Sequence, residues 1–332
     1  MKKNPTTAAF YASIGGAILF TALIALLDPL LDSVPHPADQ GSWWYFWRLV
    51  EPNAWTRAAA WTGYALHQIA LWIVVILMMK EKPHPGKLSR LNVAAIAING
   101  LFIALHILQT HLTYDGIAQD VPVWTSQWSV IVMLVIILYQ LAPSRGLVLG
   151  KKITWKPEAA RWSGKWHGLY ISWALVYTFW FHPAEGDFGL LFGFFYMFLL
   201  LIQVSFANTE IHFSKGWVVV LESMVGLHGP AIAIQKLLVE TGGKLVPDSW
   251  IMFATGFLFM FVFTGQFALK LPRWARGAIF VGYAALCVGL FGWWGLGKSY
   301  MILFIPAALY GGALALAGVA RIAAGVRRKL AA

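Results

Sequence analysis

Three histidines and one glutamate lie inside long apolar stretches of this 332-residue sequence. The histidines are His67, His106 and His228, and the glutamate is Glu222. Ionisable groups inside a membrane are costly and usually face a bundle interior or a cavity, so each marks a candidate site. Neutral imidazole is the commonest protein ligand of haem iron, copper and zinc. The three histidines therefore predict a buried centre that binds haem or a transition metal (copper, iron or zinc).

Further polar residues extend this predicted centre toward one membrane boundary. His182 and Asp115 are candidate metal ligands beside the three histidines, because a zinc or copper site needs three or four ligands. His111 is predicted to line the entrance with these two residues. His106 and His111 are five positions apart, about 140° around a helix, so they do not face one point. No HExxH, CxxCH or di-iron histidine pattern accompanies them.

The stretch 216–235 predicts a second kind of chemistry, because it holds both Glu222 and His228. A buried carboxyl group is suited to carrying protons. We therefore predict that Glu222, His228 and His111 are catalytic residues and that Glu222 relays protons. Pro230 lacks the amide proton that a helix needs there, which predicts a kink near mid-membrane. Because transporters often place their sites at broken helices, a proton-coupled secondary transporter is an alternative.

A smaller polar set lies in the loops and predicts a third chemistry. His167, Glu210 and His212 are expected near the lipid headgroups of the cytoplasmic face. A histidine–glutamate pair there is suited to act as a general base toward a lipid ester or phosphate, which would make the protein a lipid-modifying enzyme. All of these histidines also have an ordinary interpretation, as hydrogen-bonded bridges between helices or as solvated loop residues.

These candidates belong to a chain with the composition of a membrane protein. It is 59% hydrophobic and 12% charged, with a mean hydropathy of +0.66, whereas soluble domains carry about 25% charged residues. Apolar runs of about twenty residues, long enough to cross a bilayer, recur along the sequence. We therefore predict an all-α, polytopic membrane helix bundle of about ten transmembrane helices, at roughly 8–27, 54–79, 91–112, 121–141, 163–181, 188–207, 216–235, 249–269, 277–294 and 300–323.

The 25 lysines and arginines indicate the direction of these spans. Ten spans place both termini on one side of the membrane, and that side holds twenty of the basic residues. The opposite side holds only Arg48, Arg57, Lys236, Lys244 and Lys298. Cytoplasmic loops of membrane proteins are enriched in lysine and arginine. The split predicts a bacterial-type inner membrane protein with both termini in the cytoplasm, and it explains the net charge of +11 without a nucleic-acid partner.

The spans use almost the whole chain, which predicts one integral membrane domain over 1–332. Within it, a connector at 31–53 is predicted to be periplasmic. Its aromatic run at 43–47 predicts an interfacial helix, because aromatic rings favour the headgroup layer. A basic loop at 144–162 is predicted to be cytoplasmic. The single cysteine, Cys287, excludes an intramolecular disulfide.

The functional prediction weighs these features together. Few charged residues lie in the spans, whereas a transporter of polar cargo usually lines its path with polar groups. This favours a membrane-embedded enzyme, oxidoreductase-like, that acts on an apolar, quinone or lipid-like molecule in the bilayer. The proton-coupled transporter, the lipid-modifying enzyme and a non-catalytic subunit of a larger complex are the alternatives.

Overall fold

In the part of the chain that the structure describes, the apolar runs of the sequence form ten α-helices. The computed structural model describes residues 4–38, 45–155 and 157–330. Short 3-10 turns extend or precede some helices, at Asp28–Leu31, Ile117–Gln119, Gly265–Ala268 and Leu296–Leu303. The helices are α1 (Pro5–Leu27), α2 (Ala54–Met78), α3 (Arg90–Thr113), α4 (Val123–Arg145), α5 (Pro157–Phe181), α6 (Phe188–Ser205), α7 (Lys215–Glu240), α8 (Trp250–Phe263), α9 (Arg273–Trp294) and α10 (Phe304–Leu330).

Nine helices among the described residues are long and apolar enough to cross a membrane. Helices make up 76% of the structure, and the described part contains no strand. The prediction of an all-α chain with apolar, membrane-type helices is therefore confirmed. The tenth helix, α5, is 25 residues long, but its many tryptophan, tyrosine, serine and glycine residues lower its hydropathy. The prediction of about ten transmembrane helices is thus supported for nine of them.

Local sequence signals set the ends of the helices that matter most for the site. The Asn53 side chain accepts hydrogen bonds from two backbone amides at the start of α2. Ser89 and Asn92 cap the start of α3 reciprocally. Side-chain oxygens at these positions satisfy amides that the first helical turn leaves without partners. At its other end α3 stops at Tyr114, whose φ of 34° lies in the left-handed region and turns the chain away from the helix axis.

Internal contacts group the chain into two units, each described here by itself. Unit 1 comprises 1–133 and 167–214, and unit 2 comprises 134–166 and 215–332. In unit 1, α2 packs on α3, and α6 packs on both α1 and α3. In unit 2, α8 packs on α7, α9 and α10. The single membrane domain over 1–332 stays a prediction.

The connector at 31–53 differs from its prediction. Its described parts, 31–38 and 45–53, hold turns and irregular backbone, and positions 45–47 are not helical. The remaining aromatic positions 43 and 44 lie outside the described residues. Tyr45 is only 4% exposed and packs with Phe181 in a buried cluster of unit 1. The hydroxyl of Tyr45 donates to the Phe181 carbonyl at 3.3 Å. Tyr45 is therefore held against the protein within unit 1.

The loop predicted at 144–162 is not freely solvated where it leaves α4. It turns sharply and docks on the end of α8 within unit 2. The Leu149 amide donates to the Phe263 carbonyl at 2.7 Å, and the Thr264 hydroxyl donates to the Leu147 carbonyl at 2.6 Å. These bonds fix the position at which α4 ends.

Candidate functional site

Helix α3 carries a row of buried polar side chains spaced seven residues apart. Asn92, Asn99 and His106 are no more than 4% exposed. Seven residues are almost two full helical turns, so the three side chains lie on nearly the same face. Asn92 donates through Nδ2 to the Ser205 carbonyl at 2.8 Å, and Asn99 donates through Nδ2 to the Ser205 hydroxyl at 2.9 Å. This polar stripe fastens α3 to the end of α6.

His67 of α2 completes the stripe with both of its ring nitrogens. Its Nε2 lies 2.9 Å from Asn99 Oδ1, an acceptor. Its Nδ1 lies 3.2 Å from the indole Nε1–H of Trp180, a donor. These partners assign the tautomer with the proton on Nε2. The ring also stacks on Phe102, with centroids 4.6 Å apart. His67 is thus a bridge between α2, α3 and α5.

His106 is held in a similar way, nearer the end of α3. It is fully buried, and its Nε2 donates to the His182 carbonyl at 2.8 Å. Its Nδ1 lies 3.0 Å from Gln109 Oε1, and its ring packs on Trp180 with centroids 4.3 Å apart. His67 and His106 therefore contact the same indole, that of Trp180. The ring nitrogens of both histidines bond to protein groups and do not point toward a common ligand.

The segment that follows α5 is docked against the end of α3. The Ala184 amide donates to the Thr110 hydroxyl at 2.8 Å, in addition to the bond between His106 and the His182 carbonyl. Gly116 packs directly on this segment, because a Cβ built there would lie 2.4 Å from the Phe181 carbonyl oxygen. Only glycine permits that approach, and the approach brings the residues after α3 beside the residues after α5.

We expect Gly116→Ala to destabilise the protein by about 1–3 kcal/mol, because the added methyl group forces two backbone segments apart. Thermal unfolding of the detergent-solubilised protein measures this loss. Gly100→Ala in α3 is the matched control, since a Cβ there meets no atom within 4 Å. Equal melting temperatures for the two variants would show that the contact at Gly116 is not tight.

This docking assembles a cluster of acid–base side chains at one end of unit 1. The carboxylate of Glu185 accepts a hydrogen bond from the Tyr114 hydroxyl at 2.9 Å and lies 3.3 Å from His36 Nε2. The Tyr45 hydroxyl lies 3.0 Å from His182 Nδ1. We call the set the boundary cluster and define it as His36, Tyr45, Tyr114, Asp115, His182 and Glu185.

The electrostatics of the boundary cluster favour protonated carboxyl groups. Burial raises the pKa of Asp115 to about 6, although a hydrogen bond from the Gly116 amide offsets part of the effect. Burial also raises the pKa of Glu185, against the opposing influence of Tyr114 and His36. The pKa of Tyr45 is raised by burial and by the neighbouring carboxylates. Removal from water disfavours a charged form, which is the shared cause.

Such an arrangement is suited to general acid–base chemistry near neutral pH. A catalytic group transfers protons most effectively when its pKa lies near the working pH. The side chains of Glu185 and His36 are 14% and 17% exposed, so the paired carboxylate and imidazole are shielded but still reachable from outside. The boundary cluster therefore has the two properties that a proton-transfer site needs, tuned carboxyl groups and access.

The structure treats the predicted entrance residues differently. Asp115 and His182 belong to the boundary cluster. His111 points elsewhere, because its Nδ1 lies 2.8 Å from the Ile107 carbonyl and its Nε2 lies 3.2 Å from the Leu27 carbonyl. It ties α3 to the end of α1. Across the described residues, no group of three or more His, Cys, Asp or Glu side chains is arranged to hold a metal ion.

Glu222 and His228 belong to unit 2, where α7 runs without interruption through Pro230. Glu222 forms a bidentate ion pair with Arg145, with 2.6 Å between Arg145 Nη2 and Glu222 Oε1. Both guanidinium Nη atoms take part. The prediction placed Arg145 in a basic cytoplasmic loop, and it is instead the buried last residue of α4. Glu222 therefore has a fixed cationic partner.

In the third predicted site, in the loops, Glu210 and His212 both form hydrogen bonds with protein groups. Glu210 accepts hydrogen bonds from Asn4 Nδ2 at 2.9 Å and from the Gly86 amide. Burial favours a raised pKa for Glu210, but these hydrogen bonds outweigh it and the pKa is lowered. Burial lowers the pKa of His212, whose Nδ1 lies 3.1 Å from the Gln203 carbonyl. Glu210 thus joins the start of α1 to the loop before α3.

Two members of the site were not predicted as site residues. His36 lies in a connector with no pattern that marks it, and Tyr45 lies in the aromatic run that predicted an interfacial helix. The stripe of α3 did leave a signal, the seven-residue spacing of Asn92, Asn99 and His106, which indicates one polar helix face. Comparison of the chain with protein-family models, with curated proteins and with solved structures found no match.

Proposed function

We propose that this chain is a membrane-embedded enzyme whose boundary cluster performs acid–base chemistry on an apolar or lipid-like molecule. In this proposal the protein lies in a bacterial-type inner membrane with both termini in the cytoplasm, and the boundary cluster lies at the periplasmic side. The asymmetric distribution of lysine and arginine supports that orientation.

The observation that carries the proposal is the placement of Glu185. Its two carboxylate oxygens are shared between the Tyr114 hydroxyl and the His36 imidazole. A carboxyl group with a raised pKa is able to take up a proton from a substrate, and the neighbouring phenol and imidazole are able to orient it and to pass the proton on. Glu185 is the proposed general base, and Asp115 is a second proton-holding group.

The surroundings of the cluster favour an amphiphilic substrate. Phe46, whose ring lies 5.2 Å from that of His36, is 40% exposed. Phe188, at the start of α6, is 64% exposed. Exposed aromatic rings beside helix ends are typical of the membrane–water interface. A molecule with its apolar part in the bilayer and its reacting group at the interface would meet Glu185 there.

The haem or metal centre predicted at His67, His106 and His228 does not form part of this proposal. The ring nitrogens of His67 and His106 are bonded to Asn99, Trp180, Gln109 and the His182 carbonyl. Coordination of a metal would require these bonds to break inside a closely packed aromatic core. The described geometry supports bridging roles instead.

Glu185→Gln tests the proposal, with Asp187→Asn as the matched control. Both changes replace a carboxylate by an amide two residues apart, and asparagine preserves the N-cap that Asp187 provides to α6. Cells that express the wild type, either variant or no protein are compared by mass spectrometry of their apolar and lipid extracts. We expect a species that changes with the wild type and with D187N but returns to the background level with E185Q. An unchanged effect in E185Q would refute the role of Glu185.

A proton-coupled transporter is the second candidate, and the polar stripe of α3 is the observation that favours it. Hydrogen-bonding groups extend from Asn92 at the start of the helix to the boundary cluster at its end. Glu222, the proton carrier predicted for such a transporter, forms an ion pair with Arg145. Proteoliposomes loaded with a pH-sensitive dye separate the two candidates. The transporter would be favoured if the dye reports acidification inside the proteoliposomes with the wild type but not with E185Q, and if the extracted lipids do not change.

A further inference from the structure

Unit 2 contains a cleft between α4, α7 and α8 that is independent of the boundary cluster in unit 1. Its walls are apolar, with Leu134 and Ile137 on α4, Val219 on α7 and Phe257 and Phe261 on α8. Leu309 of α10 adds a further apolar contact. Leu134 and Arg145 both line it, and they are eleven residues apart on one helix, or about 16 Å along its axis. The cleft is therefore elongated.

One end of this cleft is polar and charged. Arg145 and Glu222 line that end together with Thr264. Arg145 is only 7% exposed. Its two Nη atoms are occupied by Glu222, whereas its Nε–H is buried and has no hydrogen-bond acceptor among the described residues. A guanidinium group has donors along more than one edge, so the edge that carries Nε still lacks an acceptor in the described part of the chain.

The shape of the cleft restricts what it can hold. Its volume is about 50 Å³, and it is partly open. A narrow interior with an open side fits one slender chain that lies along the groove. It excludes a broad, rigid group such as haem from this cleft.

The charge of the cleft restricts the head of that molecule. Arg145 and Glu222 compensate each other, so an additional ionised group would enter an apolar site without a counter-charge, which is unfavourable. A neutral carbonyl oxygen accepts a hydrogen bond from Nε–H without adding charge. We propose that the cleft binds a neutral amphiphile with a single slender apolar chain and a carbonyl-bearing head, the head lying at Arg145. Isoprenoid quinones and acyl esters share this chemistry.

Native mass spectrometry of the protein released from dodecyl maltoside tests the proposal, because that detergent has no carbonyl group. The probes are decylubiquinone and monoolein, with hexadecane as the probe that lacks an acceptor. We expect a saturable adduct of one molecule per chain for at least one carbonyl probe and none for hexadecane. An adduct with only one carbonyl probe identifies the quinone or the ester as the source. Binding of neither, or equal binding of hexadecane, would overturn the proposal.

Ser223 of α7 also lines the cleft, so Ser223→Leu is expected to fill the cleft and to leave the ion pair in place. Ser13→Leu in α1 is the matched control, because both hydroxyls donate to a carbonyl four residues earlier, at 2.8 Å for Ser223 and 2.9 Å for Ser13. We expect at least a tenfold loss of adduct in S223L and wild-type binding in S13L, with both proteins monodisperse. Wild-type binding in S223L would contradict the assignment of the cleft. This outcome is separate from that of E185Q, which concerns unit 1.

Discussion

Glu222→Ala is expected to lower the free energy of unfolding by about 3 kcal/mol. The change leaves the guanidinium of Arg145 without its counter-charge in a site where only 5% of that side chain is exposed. A buried charge that loses its partner retains the whole cost of its removal from water. Because Arg145 ends α4 and Glu222 lies in α7, the loss separates two helices of unit 2. Equilibrium unfolding in mixed micelles measures the difference.

Two further variants show whether the uncompensated charge of Arg145 causes the loss of stability in E222A. Lys236 and Glu240 form an exposed pair in the same helix, 3.8 Å apart, and Glu240→Ala should cost no more than about 0.5 kcal/mol. The double variant Arg145→Met with Glu222→Leu removes both charges, and we expect it to recover most of the stability. A double variant as unstable as E222A would show that specific hydrogen bonds, rather than an uncompensated charge, hold the helices together.

Stability should increase as the pH falls from about 7.5 to about 4.5 because of Asp115. Its pKa is about 6 in the folded protein, against an ordinary aspartate pKa of 3.8. The folded state therefore binds more protons than the unfolded state between these two values, and stability is lost as the pH rises through about 6. Because solvent screens part of the effect, we expect a contribution of about 1–2 kcal/mol.

Asp115→Asn isolates this contribution. The difference in unfolding free energy between the wild type and D115N should change across the pH window, because asparagine does not titrate. Asp32→Asn replaces an exposed carboxylate in the same unit and serves as the control. The remaining pH dependence of D115N reflects other groups, including Glu185, whose raised pKa acts in the same direction. If the unfolding free energies of the wild type and D115N changed with pH in parallel, Asp115 would be solvated in the folded protein.

The sequence by itself determined the class of the molecule. Long apolar runs are typical of a membrane protein, and nine of the described helices lie where hydropathy predicts them. The sequence also singled out His67 and His106 as polar positions inside apolar runs, because such residues stand out without any knowledge of the fold. Asp115 and His182 stood out at the ends of such runs. These signals are local, and they depend on which residues adjoin one another along the chain.

The tertiary structure alone decided what those polar residues do. His67 and His106 face Trp180 and their own hydrogen-bond partners, since helix packing rather than residue type fixes where a ring nitrogen points. Arg145 and Glu222 are 77 residues apart in sequence, and no periodicity connects them. The boundary cluster forms because Gly116 lets two loops approach closely. Partners that are distant in sequence meet only through packing, and the charge, burial and access that make a site follow from it.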